Sequence, residues 1–424
     1  MQTSSLLEIN LPAVLRNYFV VALRSMRHHP AFAAINIVGL SVSMAVGLVL
    51  ILFLRQAASQ DEFHENADRL VRIYSDFKSA SNRDNALYGT TPANLSDLMM
   101  REIPGVEQTA KVRTGFRGTL EYDGVGLPLN GIYADPAFFD LFSFELATGD
   151  PATALADPGS LILSPREVVK FFGTEDPMGK VMRMDDDRLY TVTGILARGD
   201  YPTVIPINAL ASYSTLEADP DTREMLENWT SSIYRSFTFA LLEEGVSISD
   251  IQARVDALIP VHFAARDDNR LVNLVVQRVP DMSLGVSMGN ELGAMLPGAA
   301  AWFLGALALM ILLTACFNYV GLTVSRAMKR SREVGVRKVF GAARSHITVQ
   351  FIIEAVAISS LSVLVAVGLL RWMVPSFNSM SFVSQTGMTL LVDYGSDLGL
   401  YGVILIFTLT VGLIAGLYPA LFLS

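Results

Sequence analysis

The stretch Ala31-Phe-Ala-Ala-Ile-Asn-Ile-Val-Gly-Leu-Ser-Val-Ser-Met-Ala-Val-Gly-Leu-Val-Leu-Ile-Leu-Phe-Leu54 contains no charged residue. A helix rises about 1.5 Å per residue, so this block extends about 36 Å, more than the roughly 30 Å hydrocarbon core of a bilayer. Three further blocks repeat the pattern. Gly293 to Val324 and Leu398 to Leu423 are uncharged, and Ile347 to Leu370 carries one carboxylate, Glu354. A cleaved signal peptide is the poorer reading of the first block. About 30 residues precede it, and signal h-regions run only about 7–15 residues. The whole chain has 51% hydrophobic and 17% charged residues, against about 25% charged in an average soluble protein. These blocks predict an α-helical membrane protein with four transmembrane helices, at 31–54, 293–324, 347–373 and 398–424.

Orientation follows from the basic residues, which favour cytoplasmic loops. Arg16, Arg24 and Arg27 precede the first block, against Glu8 alone. Arg326, Lys329, Arg330, Arg332, Arg337, Lys338 and Arg344 lie between the second and third blocks, against Glu333 alone. The 374–397 loop has no Lys or Arg and holds Asp393 and Asp397. Both termini and the 325–346 segment are therefore expected inside, and 55–292 and 374–397 outside.

Residues 55–292 carry 21 basic and 36 acidic residues, a formal charge of about −15. Roughly 240 residues can bury a core of their own, so this is a domain and not a linker. Its acidity argues against nucleic acid or anionic headgroups as its partner. Two stretches in it look alike. The first runs from Leu70-Val71-Arg72-Ile73-Tyr74 through a helical pattern at Pro92–Glu102 to a strand near Gln108–Arg113. The second runs from Ser236–Leu242 through a helix at Ser247–Phe263, with Ile248, Ile251, Val255 and Leu258 on one face, to Leu271–Val279. The pattern predicts an extracytoplasmic α+β domain of two subdomains: a βαβ-repeat core and a β-rich insert at about 120–230. Asp185-Asp186-Asp187 reads as a solvated hairpin tip rather than a cation site.

Enzyme chemistry is not legible. No Gly-x-x-x-x-Gly-Lys-Ser/Thr, His-Glu-x-x-His or Cys-x-x-Cys occurs, so catalytic, cofactor and metal residues are none. The single cysteine, Cys316, lies inside the second block, which excludes an intrachain disulfide. One Gly-x-Ser-x-Gly, at Gly285–Gly289, lacks a His beyond it on the same side of the membrane. It reads as a flexible Gly/Ser/Met linker into the second span.

The inner face of the membrane is more informative. Leu11 to Met26 places Leu15, Phe19, Leu23 and Met26 at helical spacing, with the arginines aside, so residues 1–30 are expected to hold an interfacial amphipathic helix. The 325–346 segment reads as a short helix. Glu333 and Arg337 pair at i,i+4, Gly341 suits a C-cap, and Val334, Val336, Val339 and Phe340 supply apolar surface. Two polar residues fall within the blocks. Glu354 lies about two turns from the cytoplasmic end of its helix and suits a structural or coupling role. Asn318 suits a hydrogen bond to a neighbouring helix.

Arg332-Glu-Val-Gly-Val-Arg-Lys338, then Gly341-Ala342, then Gln350-Phe-Ile-Ile-Glu354-Ala355 closely resembles the signature of MacB/FtsX-like permeases of ABC transporters. Arg24 to Leu40, Asp61 to Arg69 with Arg72-Ile-Tyr74, Cys316 to Val320 and Ala415 to Leu421 resemble further family segments in the same order. The resemblance implies a bacterial inner-membrane permease subunit with no catalysis or cofactor of its own. Hydrolysis of ATP by a separate ABC ATPase subunit would move its periplasmic domain. That movement would drive export or extraction of a peptide, drug or lipidated substrate; the alternative is FtsX-like regulation of a periplasmic cell-wall hydrolase. It also implies a second permease unit, as homodimer or tandem half, and leaves room for a periplasmic adaptor. Arg332, Glu333, Gly335, Arg337, Lys338 and Gly341 would couple to the ATPase. Family members usually continue past the fourth span with a short basic tail. This sequence stops at Ser424 and looks like a first four-span unit standing alone.

Overall fold

The computed structural model describes residues 30–78, 85–229, 232–263, 271–339 and 344–423, apart from 381, 382, 384–388 and 396, with Val20, Arg24 and 26–28 before them. For 325–347 it describes the backbone alone. The chain divides into two units, Gln56–Gly298 and the remainder, Met1–Arg55 with Ala299–Ser424. The amphipathic helix expected over Leu11–Met26 lies largely outside the described residues. At its end Met26 is buried while Arg24 and Arg27 are exposed.

The first span is α1 (Pro30–Ala58). The extracytoplasmic unit follows with β1 (Leu70–Lys78), β2 (Asn85–Tyr88), α2 (Leu95–Glu102), β3 (Val106–Tyr122) and β4 (Val125–Ala134). Next come α3 (Phe138–Leu141), β5 (Leu146–Thr148), β6 (Ser160–Leu163), α4 (Pro165–Phe172), β7 (Val181–Met184), β8 (Leu189–Leu196) and β9 (Ala209–Ser212). Then α5 (Ser214–Ala218), α6 (Pro220–Glu227), β10 (Ser236–Leu242), α7 (Ile248–Leu258) and β11 (Leu271–Arg278) complete it.

The two look-alike stretches are interleaved. The strands run in the order β11-β1-β10-β3, each antiparallel to its neighbour. The strands of each βαβ stretch are therefore parallel but separated by one strand of the other, which is the split β-α-β arrangement. Period-two alternation explains why both faces are buried. Phe239 and Leu241 face one cluster with Phe142 and Leu196, while Ala240 and Leu242 face another with α2 and α7. The helix faces are also set by sequence. Ser247 caps α7 by accepting the Asp250 N–H, and Ile251, Val255 and Leu258 are its buried stripe.

The insert is not a separate sheet. β3 runs through the expected boundary near residue 120 and turns at Asp123-Gly124 into β4. Both turn residues have positive φ, 50° and 77°, as a tight two-residue hairpin requires. Beyond β4 the order continues β9-β6-β8-β5, with β7 paired to β3 and β8. The register of β3 shifts at Gly115, whose φ of +110° only glycine adopts readily. The strand pairs mainly with β10 before that bulge and with β4 after it. Asp185–Asp187 is the β7–β8 hairpin tip, as expected, with Asp187 at φ 65°.

The remaining helices are α8 (Gly298–Val339), α9 (Arg344–Asn378) and α10 (Leu398–Leu423). Among the described residues, four helices are long and apolar enough to cross a membrane. Two boundaries differ from expectation. The second span was expected from 293, but its helix begins at Gly298 because Gly293–Pro297 packs within the extracytoplasmic unit. A Cβ at Gly293 would lie 1.8 Å from the Val204 carbonyl oxygen, and Leu292 and Leu296 are buried. The 325–346 segment is not a separate short helix either: α8 continues without a break to Val339. Its Lys, Arg, Glu and Met content favours helix strongly enough to carry Gly335 inside it.

Candidate functional site

The residues expected to meet the ATPase sit on the last turns of α8. Arg332, Glu333, Gly335, Arg337 and Lys338 all lie on that helix, and Gly341 lies outside the described residues. The helix runs 15 residues past Val324, the end of its span, about 22 Å at 1.5 Å per residue. Helical register puts positions 332, 335, 336 and 339 on one face and 333, 334, 337 and 338 on the other. Helical register therefore separates position 334 from 336 and 339 and groups it with 333, 337 and 338.

The membrane unit gives α9 and α10 a close seam. Gly412 and Gly416, four residues apart on α10, face α9. A Cβ at Gly412 would meet Val356 Cα at 2.9 Å, and one at Gly416 would meet Ile352 Cα at 3.1 Å. Small residues at this spacing let membrane helices approach backbone to backbone. Gly47 brings α1 against Phe407 of α10, where a Cβ would stand 3.3 Å from the ring. At the other end of these helices the Arg55 guanidinium donates two hydrogen bonds to the Asp397 carboxylate, at 3.0 and 3.2 Å. Those bonds hold the Asp397 carboxyl below its ordinary range, against a smaller opposing effect of desolvation.

Glu354 lies on α9, one residue before Ala355, whose Cβ faces Gly416. It is half-buried and within electrostatic range of Tyr319, a buried residue of α8. The Asn318 amide nitrogen stands 3.6 Å from where a Gly39 Cβ would be on α1.

Sequence reasoning missed the polar joints of the extracytoplasmic unit. Asp61, three residues past α1, is fully buried with φ 61°. Its carboxylate accepts the Thr203 hydroxyl and the Val204 N–H, and His64 Nε2 lies 3.5 Å away. The Ser143 N–H donates to His64 Nδ1, which leaves the ring proton on Nε2, facing Asp61. The same 203–205 loop presses on Gly293, so it touches the chain both after α1 and before α8. The expected linker at Gly285–Gly289 is ordered. Gly289 exchanges both backbone hydrogen bonds with the end of β2, and Met288 lies 3.8 Å from the buried Arg72. Arg72 is held by Glu291 at 2.9 Å and Gln277 at 2.8 Å. The signal available in the sequence was one arginine inside the apolar run Leu70–Tyr74.

A second charged group joins the split β-α-β end to the insert. The Lys111 ammonium of β3 lies 2.9 Å from Asp97 of α2 and 3.5 Å from Glu217 of α5. Its backbone N–H donates to the Asp135 carboxylate at 3.1 Å. Lys111, Asp97 and Glu217 border a cleft of about 360 Å³ lined also by Tyr213, Arg223 and Leu226. Burial pushes the Asp135 carboxyl up to about 7, against the lowering by its Lys111 bond. Among the described residues no group of three His, Cys, Asp or Glu side chains is placed to hold a metal ion.

Comparison with known proteins completes the picture. Residues 33–258 match the MacB-like periplasmic core domain, and 305–424 match the FtsX-like permease C-terminal region. An uncharacterized ABC transporter permease, YknZ of Bacillus subtilis, is 22% identical over 417 residues, covering 94% of each chain. The macrolide export ATP-binding/permease protein MacB of Rhodospirillum rubrum is 23% identical over 285 residues, and the match spans 63% of this chain and 39% of that protein. Among solved structures, a domain of a Porphyromonas gingivalis permease aligns at a TM-score of 0.43 with 21% identity, covering 51% of this chain and 91% of that one. The extracellular domain of YknZ from Gram-positive bacteria aligns at 0.35 with 14% identity, covering 49% and 99%. With its core-domain match spanning more than half its length and a permease match following in order, the chain belongs to the MacB/FtsX-like family of ABC transporter permeases.

Proposed function

We propose that this chain couples ATP hydrolysis by a separate cytoplasmic subunit to movement of its extracytoplasmic domain, and that this movement drives export or extraction of a peptide, drug or lipidated substrate. On this reading it sits in the bacterial inner membrane with both termini in the cytoplasm, and 325–346 faces the ATPase. Residues 1–424 contain no phosphate loop, so hydrolysis is assigned to the partner, and a second permease unit completes the transporter. The two ends of the sheet act as core and insert subdomains.

The observation that carries this reading is α8. One unbroken helix includes both the second span and the signature residues 332–338. A rod of about 22 Å beyond the span can pass a push at its tip directly to the span, whereas a loop would absorb it. Gly335 shares a face with Val336 and Val339, and without a side chain it permits close backbone approach. Gly335→Leu is expected to abolish co-purification of the ATPase and permease-stimulated ATP hydrolysis, while Glu333→Lys weakens the helix by only a few tenths of a kcal/mol. Undiminished binding and stimulation in Gly335→Leu would remove the coupling assignment.

A further inference from the structure

We propose that Lys111, Asp97, Glu217 and Asp135 form a proton-operated latch that holds the α5–α6 pair of the insert against α2 and β3, closed when Asp135 carries a proton and loosened when it loses it. The geometry is that of one cation shared between two elements. Asp97 belongs to α2, Glu217 to α5, and the Lys111 ammonium of β3 lies within 4 Å of both. The Tyr213 ring, one residue before α5, lies 5.9 Å from the same ammonium. Asp135, the residue after β4, bonds the backbone of the same lysine. One carboxyl oxygen accepts the Lys111 N–H; the other, Oδ1, is buried with no hydrogen-bond partner. A bare, buried oxygen is costly on an ionised carboxylate and far less so on a neutral acid.

The groups facing Asp135 decide the direction. Lys111 favours its ionised form, while Glu217 and Asp97 oppose it. Asp135 in turn acts on Tyr213, which also feels Arg113. Arg223 of α6 spends its Nε on the Glu217 carbonyl oxygen and does not neutralise the carboxylates through that bond. With a proton on Asp135, one ammonium serves two carboxylates. Without it, a third negative charge competes for the same cation. The contact that gives first is Lys111–Glu217. It is the longer of the two at 3.5 Å, and Glu217 is 47% exposed. Opening there moves α5 away from β3 and widens the cleft. Burial, the main cause, pushes the Asp135 carboxyl up to about 7. In a domain outside the cytoplasmic membrane this would tie the insert's position to external pH; that consequence rests on the topology proposed above, whereas the measurement below does not.

The test is hydrogen exchange of amides 213–227 in the full chain in detergent at pH 6 and pH 8, corrected for the intrinsic pH dependence of exchange. Wild type is expected to exchange roughly fivefold to tenfold faster at pH 8 in this segment. Asp135→Asn keeps the acceptor for the Lys111 N–H and is expected to remain protected at both pH values. If that variant does not fold, Glu217→Gln serves instead, because it removes the repelled charge from an exposed position and should also abolish the difference. Equal protection of wild type at the two pH values overturns the latch, as does a pH difference that persists in the folded variant.

Discussion

Arg72 and Glu291 offer a sharp test of how the extracytoplasmic unit is held together. Arg72 is 1% exposed in the middle of β1, and its guanidinium meets Glu291, Gln277 and the Met288 sulfur. Glu291→Leu leaves an ionised guanidinium in a dry interior, and removing one partner of a buried pair costs about 3–5 kcal/mol. Arg72→Met is expected to cost less, because the stranded group can neutralise itself. Burial already raises the Glu291 carboxyl above its ordinary 4.5, against the lowering by Arg72, and losing Arg72 raises it further. In that variant the native state holds a proton that the unfolded chain has shed. The cost of Arg72→Met therefore grows as pH rises through the wild-type Glu291 titration, itself raised above the ordinary 4.5, and is smallest in acid. Arg72→Met with Glu291→Leu buries no charge and is expected within about 1 kcal/mol of wild type. For a unit of this size each kcal/mol moves the melting temperature by roughly 2–4 °C, so Glu291→Leu should lower it by on the order of 10 °C. Urea unfolding of the full chain in detergent, followed by Trp229 fluorescence with Trp302 and Trp372 replaced by Phe, gives the four free energies. Single variants costing under about 1 kcal/mol, or a double variant equal to the sum of the singles, would refute the reasoning.

Further predictions concern other parts of the chain. Asp135 is raised from 3.8 to about 7 by burial, so the native state keeps a proton that the unfolded state loses between those values. Stability should fall by about 4 kcal/mol as pH rises through that window, and Asp135→Asn should flatten the fall; an unchanged slope in urea titrations from pH 4 to 8 would contradict this. Gly416→Leu drives a side chain toward Ile352 Cα and Ala355 and should cost about 1–3 kcal/mol by overpacking. Leu417→Ala, at a 50% exposed position, should be near neutral in the same thermal assay, and equal melting temperatures would dissolve the seam. In a Cys316→Ser background, Asp186→Cys at the hairpin tip should react with an impermeant thiol reagent in intact spheroplasts, and Ser331→Cys only after lysis. Labelling of Ser331→Cys in intact cells would reverse the orientation.

The sequence carried what depends on local periodicity and little of what depends on distant pairing. Apolar runs longer than a bilayer is thick, three of them uncharged, made the four spans plain, and the apolar stripe Ile251, Val255, Leu258 marked α7 directly. The interleaving of β10 between β1 and β3 was not legible, because strand order is set by pairing across more than 100 residues. The insert boundary is hidden in the sequence because β3 shifts register at Gly115 without ending, and a single bulge glycine looks the same in sequence as a turn. Gly293–Pro297 was taken for membrane because packing against the 203–205 loop demands the same small and apolar residues as lipid does. Signature residues 332–338 were recognisable as a pattern, but the continuity of α8 through them was hidden by Gly335. The joint at Asp61 joins residues 142 positions apart, and nothing local announces it.

The ladder between β3 and β10 has a consequence for how such domains diversify. Arg113 is directly opposite Ser236, and the Thr114 N–H donates to the Arg235 carbonyl oxygen. The chain therefore departs for the entire insert and returns from it across one rung, about 5 Å of separation. Excising residues 115–234 and closing the gap with a two-residue hairpin turn would leave the β11-β1-β10-β3 layer with its connections intact. A cassette attached across one rung can lengthen or shrink without changing the order of the frame strands, provided that what replaces it still covers the Phe239 and Leu241 face. Variation in what such a permease handles would then accumulate beyond Gly115, while β1, β10, β11 and their two helices stay constant.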